Sequence, residues 1–219
     1  MRSALLPRRL AVIASTLLLS SPAAASLLTV RDAASGELLS NAVIEVHVSG
    51  EPGRPSVDDD IIQRDATFHP HVSAVPVDSR IRFPNQDNTR HHVYSFSPAK
   101  TFDLNLFLRD TPPPISFDQA GVVVLGCNIH DHMQAFIVVS EATHVGVTAE
   151  DGSWQVPDLA TGEHRVRVWH PRLDDSHQQW HDVSLNGQPQ QEVLLTLTAS
   201  APPPSEPSAL QQRFRDATQ

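Results

Sequence analysis

Apolar residues recur with a period of two through most of this chain, and that alternation limits its fold more than any other feature. It runs through Ile44, Val46 and Val48, through Phe102, Leu104 and Leu106, and through Val166, Val168 and His170. Side chains of an extended strand point to alternate faces, so this pattern predicts strands with one face turned to a core. Continuous β-branched runs at Val122 to Val124 and Ile137 to Val139 predict strands buried on both faces. Turn signals punctuate the runs at Ser35-Gly36, Pro52-Gly53, Pro112-Pro113-Pro114, Asp151-Gly152, Thr161-Gly162 and Asn186-Gly187. No stretch before residue 208 carries a capped helical pattern. The 9 glycines and 18 prolines have no period, which excludes a collagen-like repeat. The reading is all-β, an antiparallel sandwich.

Residues 1–25 have the form of a cleaved signal peptide. Arg2, Arg8 and Arg9 precede the apolar run Leu10 to Leu19, and small residues end at Ala25. That run is too short to span a bilayer, which takes about 20 residues, and no later segment comes closer. No cysteine follows it to carry a lipid. The expectation is an exported, periplasmic protein with no membrane span in the mature chain. Removing the segment takes three arginines and no acids from a chain already at −9, with Lys100 its only lysine. Such acidity argues against a nucleic-acid partner. From Ala201 the composition APPPSEPS predicts a disordered tail over residues 200–219.

The chemistry concentrates in one segment. Between the strands 121–126 and 134–139 the chain places its only cysteine, Cys127, and its only methionine besides Met1, Met133, with His130 three residues from each. A lone thiol in an exported protein needs a reason, and metal ligation supplies one. Copper cycles between Cu(I), which prefers sulfur, and Cu(II), which prefers nitrogen; thiolate, imidazole and thioether together suit both. A further histidine comes from the turn between Phe83 and Val93, which contains His91 and His92. Two histidines, one cysteine and one methionine form a blue-copper set.

Residues from about Phe68 to Val139 resemble the cupredoxin family, through FPNQDNTRHHV at 83–93 and GCNIHDHM at 126–133, whose ligand spacing is amicyanin-like. More narrowly, these segments resemble the periplasmic plastocyanin- and amicyanin-like proteins labelled methylamine-utilisation proteins. The resemblance implies a cupredoxin-like Greek-key β-sandwich that binds one copper ion and transfers electrons. By position it assigns His91, Cys127, His130 and Met133 as ligands. His92, where many cupredoxins have asparagine, is the alternative to His91, and His132 is a possible extra ligand. Gly126, smaller than the usual residue before the cysteine, predicts greater solvent access.

Residues 143–199 resemble the carboxypeptidase-regulatory or carbohydrate-binding-like β-sandwich modules, through the Asp151-Gly152-Ser153-Trp154 hairpin and the Val166 to His170 strand. The expected organisation is a signal peptide at 1–25, a copper domain at 26–142, this module at 143–199 and the tail. Residues 27–48 are available to contribute a strand to the module, in which case the copper domain interrupts it. Trp154, Trp169 and Trp180 are read as core packing before a sugar platform. His69 and His71 are read as surface histidines before a second metal site. Val57 to Asp60 is read as a solvated loop.

A nucleophilic Cys127 is disfavoured, because it follows a strand and no helix dipole activates it. A copper enzyme would need a second metal set, which the sequence does not offer. The expected protein is therefore a non-enzymatic, exported type 1 copper carrier of single electrons. Its acidity suits a basic redox partner such as a cytochrome. The alternatives are a copper-binding or delivery protein without redox turnover and a carbohydrate- or partner-binding β protein.

Overall fold

The computed structural model describes residues 27–108, 111–157, 159, 163–185 and 188–198. The expected signal peptide and the expected tail lie outside them, as do the Thr161-Gly162 and Asn186-Gly187 turns. Every regular element among the described residues is a strand. In chain order these are β1 (Leu27–Asp32), β2 (Val43–Val48), β3 (Asp58–Asp60), β4 (Ile62–Arg64), β5 (Thr67–His69) and β6 (Val72–Pro76). They continue with β7 (Ser79–Arg82), β8 (His91–Ser97), β9 (Lys100–Phe107), β10 (Ile115–Phe117), β11 (Gly121–Gly126) and β12 (Gln134–Ser140). The last are β13 (His144–Val147), β14 (Ser153–Gln155), β15 (His164–Trp169), β16 (His181–Val183) and β17 (Gln190–Leu195). No helix among the described residues is long and apolar enough to cross a membrane.

Four of the five sheets stack around three apolar cores, the fifth being the two-stranded β4-β5. The sheet ordered β6-β12-β11-β8-β9 packs on the sheet β10-β7-β3 through Val75, Ile81, Val93, Phe117, Leu125 and Ile137. The sheet β13-β2-β15-β16 packs on the sheet β14-β1-β17 through Leu28, Val30, Ile44, Val46, Val168 and Leu195. The outer faces of the five- and four-stranded sheets then meet over Val43, Val122, Phe136, Val138, Val145 and Trp169. This second contact explains the apolar runs. In β11, Val123 and Leu125 face one core while Val122 faces the other, and in β12 Ile137 and Phe136 divide likewise. A strand covered on both sides has no polar face to show.

Strand pairing links the first and last described strands. β1 runs parallel to β17 and antiparallel to β14, and β2 pairs with β13 and β15. The chain leaves β2, passes through the five-stranded sheet and its partner, and returns at β13. Its outgoing and returning segments lie side by side, since a Cβ on Gly53 would stand 2.7 Å from the carbonyl oxygen of Glu141. Only a glycine fits that approach.

Asp58 to Asp60 is a strand, where a loop was expected. It runs parallel to β7, opposite Arg80 and Arg82, and the Asp60 carboxylate accepts both Nε and Nη2 of Arg82 at 2.7 and 3.2 Å. Cross-strand neutralisation lets an aspartate run serve as a sheet edge. Trp169 is fully buried, with Nε1 donating to the carbonyl of His177 at 3.0 Å, while Trp154 and Trp180 pack at core margins.

Phe136 joins the two pairs of sheets. Its ring lies 5.5 Å from Trp169, 4.9 Å from His177 and 5.4 Å from His71, centroid to centroid. Phe136→Ala is expected to cost about 3–5 kcal/mol of unfolding free energy, as for other buried phenylalanines, measured by equilibrium denaturation. His170, directly after β15, is buried, and burial followed by the nearby Arg172 charge pushes its imidazole from 6.5 down to about 4. Between those pH values the unfolded chain binds a proton there that the folded chain refuses, so stability falls as the pH falls from 6.5 to about 4. His170→Gln is expected to flatten that part of a stability-against-pH curve.

Candidate metal centre

β11 and β12 form a hairpin whose last pair is Gly126 with Gln134, so residues 127–133 make its loop at the end of the five-stranded sheet. The loop folds back on itself, with the Met133 amide donating to the His130 carbonyl at 2.9 Å. Cys127 Sγ and His130 Nδ1 stand 3.9 Å apart. β8 runs antiparallel beside β11 with Tyr94 opposite Gly126, which sets the first residue of β8, His91, beside this loop. Ligand atoms of His91, Cys127 and His130 all lie within 4.8 Å of one another, and the His91 and His130 rings are 5.0 Å apart. Imidazole nitrogen and thiolate sulfur bind a first-row ion at about 2.0–2.3 Å, so the three surround room for one.

The turn before β8 is firmly held. The Asn85 side chain accepts the Asp87 amide at 2.9 Å and donates to the carbonyls of Thr89 and Phe107 at 2.9 and 3.1 Å. Gln63, fully buried, donates its side-chain amide to the Phe83 carbonyl at 2.8 Å. A register shift between His92 and Tyr94 marks a bulge in the β8–β9 ladder. His91 and His92 both precede it, in regular register with Phe107 and Leu106, and as successive strand residues they turn to opposite faces and different partners. His91 Nε2 meets Asp87 Oδ2 at 2.7 Å, while His92 Nε2 meets Asp103 Oδ1 at 2.6 Å.

His91 is fully buried and its Nδ1 has no hydrogen-bond partner. A buried imidazole nitrogen without a partner is costly, and with Nε2 engaged by Asp87 it is the ligand atom His91 has to offer. Burial alone would raise the Asp87 carboxyl. The amides of Ala66 and Asp65 and the His91 imidazole outweigh it and hold Asp87 below the usual carboxylate range. The Asp103 carboxyl is held low chiefly by the His92 imidazole, then by the Asn105 amide.

Of the residues singled out from sequence, His91, Cys127 and His130 come together. Met133 is buried in the same core as Cys127, directly after the loop's last turn. His92 is engaged with Asp103 and stacks against Tyr94 at 5.1 Å. His132 is exposed, its ring 5.9 Å from that of His130. His71 lies elsewhere, donating from Nδ1 to the Gln134 carbonyl at 3.1 Å, and burial lowers its pKa. Asp87 was not read as part of the site, although its place four residues before His91 was a usable signal.

Gly126 does not open the site as expected. A Cβ there would lie 2.8 Å from Tyr94 Cζ, so the tyrosine ring fills the space that a larger residue would take. Cys127 is only 4% exposed. A groove of about 420 Å3 runs past Tyr94, Phe96, Cys127 and Met133 to Ser176 and Gln178 on the loop after β15.

No family model matches the chain, and no curated protein does. Solved structures give partial likenesses. The copper-containing nitrite reductase of Thermus scotoductus SA-01 is 23% identical over 44% of this chain, with a TM-score of 0.37, and the match spans only 25% of that protein. The purple cupredoxin of Nitrosopumilus maritimus is 21% identical over 38% of this chain and all of its own, at 0.34. Amicyanin from Paracoccus versutus is 15% identical over 44% of this chain and 98% of its own, at 0.35. At TM-scores this low the likenesses establish neither family nor activity.

Because the Tyr94 ring caps Gly126, Tyr94→Ala is expected to expose Cys127. Alkylation of the metal-free protein by iodoacetamide, followed by mass spectrometry, should be slow in the native wild type and several-fold faster in the variant.

Proposed function

We propose that this chain is an exported type 1 copper protein of the cupredoxin family that carries single electrons. The observation that carries this reading is the buried, partnerless Nδ1 of His91 beside the sulfur of Cys127 and the imidazole of His130. One thiol and two imidazoles, His91, Cys127 and His130, would hold the ion, and the Met133 thioether, buried in the same core as Cys127, would add a weak fourth donor. Copper, when bound, supplies a one-electron couple between Cu(I) and Cu(II).

The chain's own residues supply the rest. Asn85 and Gln63 fix the turn before His91, and the β11–β12 hairpin fixes Cys127, so the ligands have little freedom to rearrange when the charge changes. The thiol must give up its proton to bind. Half-buried His130, beside the exposed Ile129, offers an edge through which electrons enter and leave. The net charge of −9 favours a basic partner protein, with association weakened by salt. The strand pairing supports a copper unit inserted between β2 and β13 of a second sandwich, in place of two domains in series.

The test is to purify the chain from Ser26 onward, add Cu(II), and record visible and paramagnetic-resonance spectra. One copper per chain with an intense thiolate-to-copper band, bleached and restored by reductant and oxidant, is the expected outcome. Cys127→Ser, His91→Ala and His130→Ala should lose the band, and His92→Ala should keep it. Absence of stoichiometric copper would overturn the reading. Colourless Cu(I) held and passed on without redox cycling would favour delivery instead.

A further inference from the structure

The Asp87 carboxylate is placed where it can set both the form of His91 and the charge of the centre. Its Oδ1 accepts the Asp65 amide at 2.8 Å, and its Oδ2 accepts the Ala66 amide at 3.0 Å. Oδ2 also meets His91 Nε2 at 2.7 Å. An ionised carboxylate only accepts hydrogen bonds, so Nε2 is the donor; a neutral imidazole carries one N–H, so Nδ1 keeps a free lone pair. The side chain of His91 is 1% exposed and that of Asp87 17%, so water does little to screen the pair. Asp65 and Ala66 form the left-handed turn between β4 and β5, with φ of 54° and 49°, so the carboxylate also ties that hairpin to the site.

Resting on the copper reading above, we propose that Asp87 is a positioning residue that holds His91 as the Nε2-protonated tautomer with Nδ1 turned to the ion, and that its charge biases the centre toward Cu(II). A negative charge one imidazole away stabilises the dication more than the monocation. Outer partners of ligating histidines commonly change metal affinity 10- to 100-fold. A shift confined to one oxidation state appears in the reduction potential.

Asp87→Asn keeps the shape, removes the charge and replaces one acceptor by a donor. Its midpoint potential is expected to rise by at least the equivalent of a tenfold change in the Cu(II)-to-Cu(I) affinity ratio, about 59 mV for one electron. Asp87→Glu, which restores the charge, should recover part of that rise. A merely structural role would lower the melting temperature and leave the potential unmoved, and an unchanged or lowered potential in Asp87→Asn overturns the proposal. A second measurement needs no copper and no variant. Nitrogen-15 shifts of the His91 ring in the metal-free wild type should show Nε2 protonated and Nδ1 bare. The opposite tautomer overturns the proposal even if the variant fails to fold. A wild type that binds no copper defeats the functional reading, while the tautomer remains decided by its own spectrum.

Discussion

The pairing of β11 with β8 on one side and β12 on the other governs this molecule's site. Gly126 faces Tyr94 across one ladder and Gln134 across the other. With that register fixed, a cysteine that leaves β11 and a histidine that opens β8 must meet, although 36 positions separate them in the chain. A slip by one residue would turn His91 to the opposite face. Burial of one face of β8 resists such a slip, because it would drive Val93 out of the core and carry exposed Phe96 toward it. Stability of the stack and geometry of the centre are therefore one property.

The surroundings of the centre divide the labour between rigid and charged groups. Asn85 and Gln63 are neutral and satisfy backbone groups of the turn, so they fix shape without adding charge. Asp87 and Asp103 each take one of the paired histidines, which the pleat of β8 turns to opposite faces. Neighbouring imidazoles thereby acquire different surroundings. One is sealed beside the sulfur, while the other, also buried, lies in tilted contact with Tyr94. Tyr94 itself replaces the bulk that Gly126 lacks, an exchange between neighbouring strands.

Much of this was legible in the sequence, for a physical reason in each case. Alternation exposed the strands, and the apolar runs of β11 and β12 pointed to burial on both faces. The Cys127–His130–Met133 spacing was visible because one loop contains it all. What lay hidden depends on contacts between distant residues. Sequence left His91 and His92 open, since adjacent histidines differ only in which face of the strand each takes, and nothing local says which face meets Cys127. Gly126 suggested an open site because the ring that fills it belongs to another strand. The Asp58 to Asp60 edge was mistaken for a loop because its neutralising arginines stand some twenty positions away. The runs of β11 and β12 said that a second face was covered, but not that β2, β13 and β15 cover it, because Phe136 and Trp169 meet only in the folded chain.

The near-contact of Gly53 with the Glu141 backbone carries a wider implication. The chain departs from β2 and comes back on β13, and these are hydrogen-bonded neighbours with His144 opposite Val46. Exit and entry thus stand roughly one interstrand spacing apart, about 5 Å. A short bridge could close that gap. A chain so bridged would keep every strand pair among β1, β2 and β13 to β17, but it would lay bare Val43, Val145 and Trp169, so the intervening stretch serves its host as the cover of one apolar face.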